Sequence, residues 1–241
     1  NVAGDNLGVL ADPSAYDLSM NVEGASIDVP PLGLQFAAAS GTVRIAQRVL
    51  NARGVAATIG RSTLRDGNIV LALAPRLVLR ELTAALDVDL AANLGLAARL
   101  LGETAAPSAF SRIQSAAGRA RGTLTLRETN GGYHQIYDVT SLAGTMRHAA
   151  LPLPVVVDGG GLRYESGGAL TLRGLAGAIG ASRVERIDAV LALGPDPVVR
   201  SAAGNAVLAL DELFPWLTKL RAARALRDDI SALQGTIGVD L

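Results

Sequence analysis

The chain has 241 residues, 49% of them hydrophobic, and its 22 basic residues balance 22 acidic ones. That is enough apolar material for one large domain or two modest ones, while the scattered arginines exclude the concentrated positive charge that duplex nucleic acid requires. An aromatic content of 3% and the absence of cysteine exclude base-stacking platforms, an aromatic-lined cofactor pocket, disulfides and thiolate metal sites.

The opening "NVAGDNLGVL" has neither a basic leader region nor an initiating Met, and no apolar run reaches the roughly 18 to 20 residues of a membrane-spanning helix. The chain therefore reads as an excised piece, and any signal or anchor it once had is expected to lie outside these residues. From Tyr16, "YDLSMNVE" alternates without fault, Leu18, Met20 and Val22 on one face and Asp17, Ser19, Asn21 and Glu23 on the other, the mark of a half-buried strand. The same period recurs in "RLVLREL" (Leu77, Leu79), "ALDVDLA" (Leu86, Val88, Leu90), "GTLTLRE" (Leu124, Leu126) and "GALTLRG" (Leu170, Leu172). So many strands without intervening helices predict an antiparallel meander. Turn chemistry is expected at "VPPLG" (29–33), "DGN" (66–68), "LPLP" (151–154), "DGGG" (158–161), "ESGG" (165–168) and "GPDP" (194–197).

Near the end the period changes. In "DELFPWLTKLRAARALRDDISAL", Leu213, Leu217, Leu220, Ala223, Leu226, Ile230 and Leu233 recur every three or four residues, predicting an amphipathic helix over 211–233 capped by Asp211 and irregular at Pro215. Its counterpart over 91–119 contains "GETAAPS" and is expected to form two shorter helices.

"LRGLAGAIGAS" (172–182) places Gly174, Gly177 and Gly180 three residues apart. A phosphate loop needs other spacings and an ensuing helix, but here there is no Lys and the strand-like "SRVERIDAVLAL" follows. The stretch has a partner instead: "RGVAATIGRSTLRDGNIVLAL" (53–73) aligns without gaps with "RGLAGAIGASRVERIDAVLAL" (173–193), identical at 10 of 21 positions and offset by 120 residues. Gly174 and Gly180 correspond to Gly54 and Gly60, whereas Gly177 faces Ala57. The outer pair is expected to serve the backbone, at a turn or bulge, with the middle glycine optional. "YDVTSLAG" from Tyr137 echoes "YDLSMNVEG" from Tyr16, and "QGTIGVDL" (234–241) echoes "RGTLTL" (121–126). The expected fold is mainly β with some α: one continuous repeat-built domain over 1–241, made of two tandem units, 14–126 and 135–241, each an antiparallel β-meander with an amphipathic helical segment near its end.

No residue constellation asks for catalysis, and the chain is expected not to be an enzyme. His134 and His148 are the only histidines and lack further donors for a metal; Asp228 and Asp229 are adjacent on a helical pattern and so diverge; Ser182 lies outside a nucleophile-elbow motif. No metal or cofactor is expected. A meander with one aliphatic face then allows two arrangements: a closed core, in which helices and half-sheets bury one another, or a sheet that curls and leaves an apolar groove suited to acyl chains. The residues presented to groove or core are Leu71, Leu73, Leu86, Val88, Leu90, Leu170, Leu172, Leu191, Leu193, Leu208 and Leu210.

The pattern "GGGLRYESGGALTLRGLAGAIGASRVERIDAVLAL", together with "LALDELFPWL" and "LQGTIGVDL", resembles the repeat of the AsmA-like family of Gram-negative envelope proteins. The resemblance covers most of the chain and rests on glycine and aliphatic positions. It implies a periplasmic protein held at the inner membrane by an N-terminal anchor missing here, with a curled, groove-like sheet that carries phospholipid toward the outer membrane. It implies as partners phospholipid or another acyl lipid and adjacent segments of the same parent chain, and it brings no catalytic residues and no nucleic acid. The alternative is a non-catalytic structural or assembly module of the envelope, binding protein partners through sheet edges and helices.

Overall fold

A computed structural model describes residues 17–29, 34–73, 76–94, 112–130, 132–149, 151–193, 198–217 and 234–240. Twelve strands follow one another as β1 (Asp17–Val29), β2 (Leu34–Ala46), β3 (Val49–Ile59), β4 (Ser62–Ala72), β5 (Val78–Asp89), β6 (Ile113–Thr129), β7 (Gly132–His148), β8 (Val155–Glu165), β9 (Ala169–Ile179), β10 (Ser182–Ala192), β11 (Val198–Ala209) and β12 (Thr236–Asp240). They form one antiparallel sheet in chain order, joined by short connections except between β5 and β6 and between β11 and β12. The chain divides into two compact units, Asn1–Val88 with Arg121–Asp138, and Asp89–Ala120 with Val139–Leu241.

In the first unit the register sorts side chains by polarity. Leu18, Ile45, Leu50, Leu71 and Leu79 lie side by side across β1 to β5, and Met20, Val43, Ala52, Ile69 and Leu82 form the next row. The opposite face carries Ser19, Arg44, Asn51, Val70 and Glu81 in register. Ion pairs Arg80–Glu128, Arg127–Glu81 and Arg121–Asp87 link β5 to β6 at 2.6, 3.1 and 2.9 Å. On β1 and β2 the Arg44 guanidinium grips Asp17 through two hydrogen bonds of 3.0 and 2.9 Å. That grip holds the Asp17 carboxyl below its ordinary value of 3.8, first through the hydrogen bond and then through charge. The pair's contribution is therefore complete above that pH and fades as pH falls through the lowered value, and solvent screening keeps it small.

The second unit repeats the sorting. Tyr164, Leu170, Leu191 and Val199 share one apolar row, Leu162, Leu172, Ala189 and Ala202 another, while Arg163, Thr171, Val190 and Ser201 lie on the other face. The bounds of β9, β10 and β11 stand 120 residues after those of β3, β4 and β5, at both ends of each strand.

Register shifts interrupt strands in both units. Register shifts fall between Arg65 and Asn68 in β4 and between Glu185 and Asp188 in β10, with neighbouring shifts at Ala52/Val55 in β3 and Val157/Gly159 in β8. Gly54 and Gly174 take φ of +60° and +54° there, and Asp66 and Arg186 take +52° and +51°. A left-handed residue at a bulge adds one residue to one strand and bends it. "DGN" and "DGGG", expected as turns, are thus interior to β4 and β8: their glycines serve the bulges and close backbone approaches.

Other expectations are corrected as well. Val78–Leu82 of "RLVLREL" and Ala85–Asp89 of "ALDVDLA" belong to the single strand β5, which Leu77 precedes and Leu90 follows. Of the helices expected over 91–119, residues 90–94 are helical, 95–111 lie outside the described residues, and Ile113–Arg119 is strand. Ala116, Gly118, Ala120 and Gly122 alternate with Ser115, Ala117, Arg119 and Arg121 and continue the Leu124, Leu126 face, so the two-residue period overrides the helix preference of the alanines. Of the helix expected over 211–233, Leu210–Leu217 is helical (α1), and residues 218–233 lie outside the described set, as do "VPPLG" from Pro30 and "GPDP".

Asp211 does not cap α1 but sits in its first turn with Glu212, where both favour the helix dipole. The Asp89 carboxylate performs the capping role at 90–94, accepting from the Ala92 amide at 3.0 Å. At the equivalent point before α1, the Ala209 N–H donates to the buried Ser182 Oγ at 2.9 Å. Ser182→Ala leaves that amide without its partner, and we expect it to lower the unfolding free energy by about 1.5 kcal/mol, read from the urea midpoint.

Candidate functional site

The core is made of small residues. Among the described residues the buried hydrophobics are Ala39, Ala52, Ala57, Leu64, Ala72, Ala84, Tyr164, Ala189, Ala206, Ala209, Leu213 and Phe214, and no large side chain falls below 2% exposure. A single sheet buries its small residues between larger neighbours in the same layer, whereas a closed two-layer core buries the larger ones outright.

All eleven aliphatic residues singled out above are half-buried. Leu71 is in β4, Leu86 and Val88 in β5, Leu170 and Leu172 in β9, Leu191 in β10 and Leu208 in β11. The other four are not strand residues: Leu73 and Leu193 follow the ends of β4 and β10, and Leu90 and Leu210 open helical segments. Sequence alternation could not see this, because a leucine that ends a strand keeps the period of the strand it leaves. Leu71 and Leu191 each occupy an apolar row of their own unit, and Leu64 and Leu86 extend the face of the first.

The four structural glycines fall into two kinds. Gly54 and Gly174 sit at the mid-strand bulges, and Gly60 and Gly180, at φ of +57° and +59°, turn β3 into β4 and β9 into β10. Ser182 thus begins a strand, as the reading of Gly174–Gly180 as sheet punctuation expects. Gly177, expected to be optional, is not: a Cβ there would collide with the Val156 carbonyl oxygen. The hidden requirement is close approach of β8 to β9, which no φ preference announces. Glu212 accepts a hydrogen bond from the Ala181 amide at 2.8 Å, so α1 closes over the β9–β10 turn.

Shallow recesses among the described residues lie elsewhere. One of about 470 Å³ lies between Arg76–Leu79 and Glu128–Tyr133 in the first unit, and one of about 230 Å³ sits on its polar face near Asn51, Asn68 and Glu81. A third, about 370 Å³, is bordered by Gly174, Glu185, Arg186 and Asn205. Among the described residues no group of three His, Cys, Asp or Glu side chains could hold a metal ion. His134 and His148 both lie on β7, and Asp228 and Asp229 are outside the described residues. No described helix is long and apolar enough to cross a membrane.

What fold and surface define is a class: a single antiparallel sheet in which each unit carries aliphatic rows on one face and more polar rows on the other. Comparison with family models, curated proteins and solved structures finds no match to the chain.

Proposed function

We propose that this chain is a segment of an AsmA-like envelope protein whose aliphatic sheet face holds phospholipid acyl chains during transport between inner and outer membranes. In this reading the parent protein is periplasmic and anchored in the inner membrane. One observation carries it: rows such as Leu18–Ile45–Leu50–Leu71–Leu79 and Tyr164–Leu170–Leu191–Val199 run unbroken by charge, with no second sheet among the described residues to cover them. Contiguous apolar surface of this extent is kept for a ligand or partner.

Two features support the finer architecture. The 120-residue displacement of strand bounds, shifts and left-handed residues supports two tandem units. The mid-strand bulges bend successive strands at matched levels, which supports a curled sheet. Leucine, valine and alanine with little aromatic content suit flexible methylene chains better than a rigid planar ligand.

The experiment is extraction of the purified protein followed by mass spectrometry, with uptake of a fluorescent acyl probe in parallel. Co-purified phospholipid and saturable uptake are the expected results; a lipid-free extract with no uptake overturns the reading. A non-catalytic assembly module is the second reading, favoured by the terminal strands β1 and β12, each paired on one side only among the described residues.

A further inference from the structure

We infer that the recess between the start of β5 and the β6–β7 turn is a phosphate-ester subsite, which on the lipid reading above receives the head group and selects a phospholipid of net negative charge. Leu79 is the last member of the row Leu18–Ile45–Leu50–Leu71–Leu79 and also lines the recess. A chain lying along that row therefore ends beside it. At about 470 Å³ the recess falls within the roughly 300–1,000 Å³ of small-molecule sites.

The wall of the recess is mixed in character. Leu77, 68% exposed, and Tyr133, 40% exposed, add apolar surface to that of Leu79. The neighbouring arginines are engaged, Arg80 with Glu128, Arg127 with Glu81 and Arg121 with Asp87, whereas Arg76 makes no ion pair or hydrogen bond among the described residues. A guanidinium offers phosphate two parallel hydrogen bonds, and the Tyr133 hydroxyl and Asn130 amide are further donors on the same wall. Glu128, the one carboxylate on the described wall, lies 2.6 Å from the Arg80 guanidinium. A phosphate thus meets an open cation, while the ammonium of a zwitterionic head group meets no open carboxylate.

The fold does not require this chemistry. "PRLVLR" (75–80) and "PDPVVR" (195–200) share Pro, Val and Arg at the 120-residue offset, but Asp196 and Pro197 stand where the first copy has Arg76 and Leu77. Strand β11 nevertheless begins at Val198 as β5 begins at Val78. A cation at 76 and an exposed leucine at 77 therefore serve something other than starting the strand.

The test titrates the intact chain by calorimetry with dihexanoyl phosphatidylglycerol, dihexanoyl phosphatidylcholine and glycerol 3-phosphate, the lipids below micelle formation. Phosphatidylglycerol is expected to bind about fivefold more tightly than phosphatidylcholine. Arg76→Asp, which copies the residue of the second unit, weakens phosphatidylglycerol about tenfold and removes the preference. Tyr133→Phe, a second variant that keeps the ring, weakens it about threefold; circular dichroism checks that both are folded. Equal affinity for the two lipids, or unchanged phosphatidylglycerol affinity in Arg76→Asp, overturns the inference, and acyl-probe uptake that persists then leaves the lipid reading standing without it. Glycerol 3-phosphate bound as tightly as the lipid, and lost in Arg76→Asp, supports the phosphate site and assigns it to a free ester; absent acyl-probe uptake then removes the lipid reading alone. Binding of neither phosphatidylglycerol nor glycerol 3-phosphate overturns the inference.

Discussion

Gly177→Ala lowers the unfolding free energy by about 3 kcal/mol, the upper end of what overpacking costs. The added methyl meets the Val156 carbonyl oxygen rather than a side chain. A side chain could rotate away; a carbonyl engaged between β8 and β9 can retreat only if the strands part. The reciprocal change at the corresponding position, Ala57→Gly, meets no such obstacle. It costs about 1 kcal/mol through backbone entropy and lost burial of a residue that is 6% exposed. Urea denaturation of both variants separates these causes. If Gly177→Ala unfolds at the midpoint of the unmodified protein, β8 and β9 are not in close approach at that level.

Leu172→Asp lowers acyl-probe affinity by one to two orders of magnitude while leaving a folded sheet. Leu172 stands in register with Leu162 and Ala189 on the apolar face and is half-buried, so the carboxylate keeps part of its water and costs the fold about 1–2 kcal/mol. A methylene chain lying along that row must instead desolvate the charge to pass it. The control is the adjacent residue: Thr171→Asp points to the opposite face, in register with Arg163, and changes neither binding nor stability appreciably. Circular dichroism and probe titration on the two variants decide between readings. Loss of fold in Leu172→Asp favours the closed core of an assembly module; a folded variant with unchanged uptake removes the lipid reading.

Strand pattern was legible wherever large apolar residues alternate with charge, as in Leu18, Met20 and Val22 against Asp17, Ser19 and Asn21. It was illegible where small residues do the alternating. Ala116, Gly118 and Ala120 carry little hydrophobic contrast, and their helix preference points the wrong way until a neighbouring strand supplies the pairing. Glycines demanded by φ, such as Gly54 and Gly174, revealed themselves by recurring at the same offset. Gly177 did not, since its need arises from a chain segment some twenty residues earlier, Val156, and only on one of the two occasions. The Asp66 and Arg186 positions explain another miss. They share a left-handed backbone yet carry opposite charges, so no residue type marks the bulge. The aliphatic surface could be foreseen as a surface, but Leu73, Leu90, Leu193 and Leu210 show that period alone does not say where a strand stops.

The mid-strand bulges have one more consequence, for how the chain finds its pairing. Strands built from Leu, Ala, Val and Gly with a two-residue period could slide past one another by two residues and still keep every apolar side chain on the proper face. Sliding β4 along β3 or β5 in that way would move the left-handed residue near Asp66 away from its matching interruption in the neighbour, and the same holds for Arg186 in β10. The irregularities thus work as notches in a ruler: in a sequence too monotonous to encode alignment in its side chains, the backbone encodes it instead.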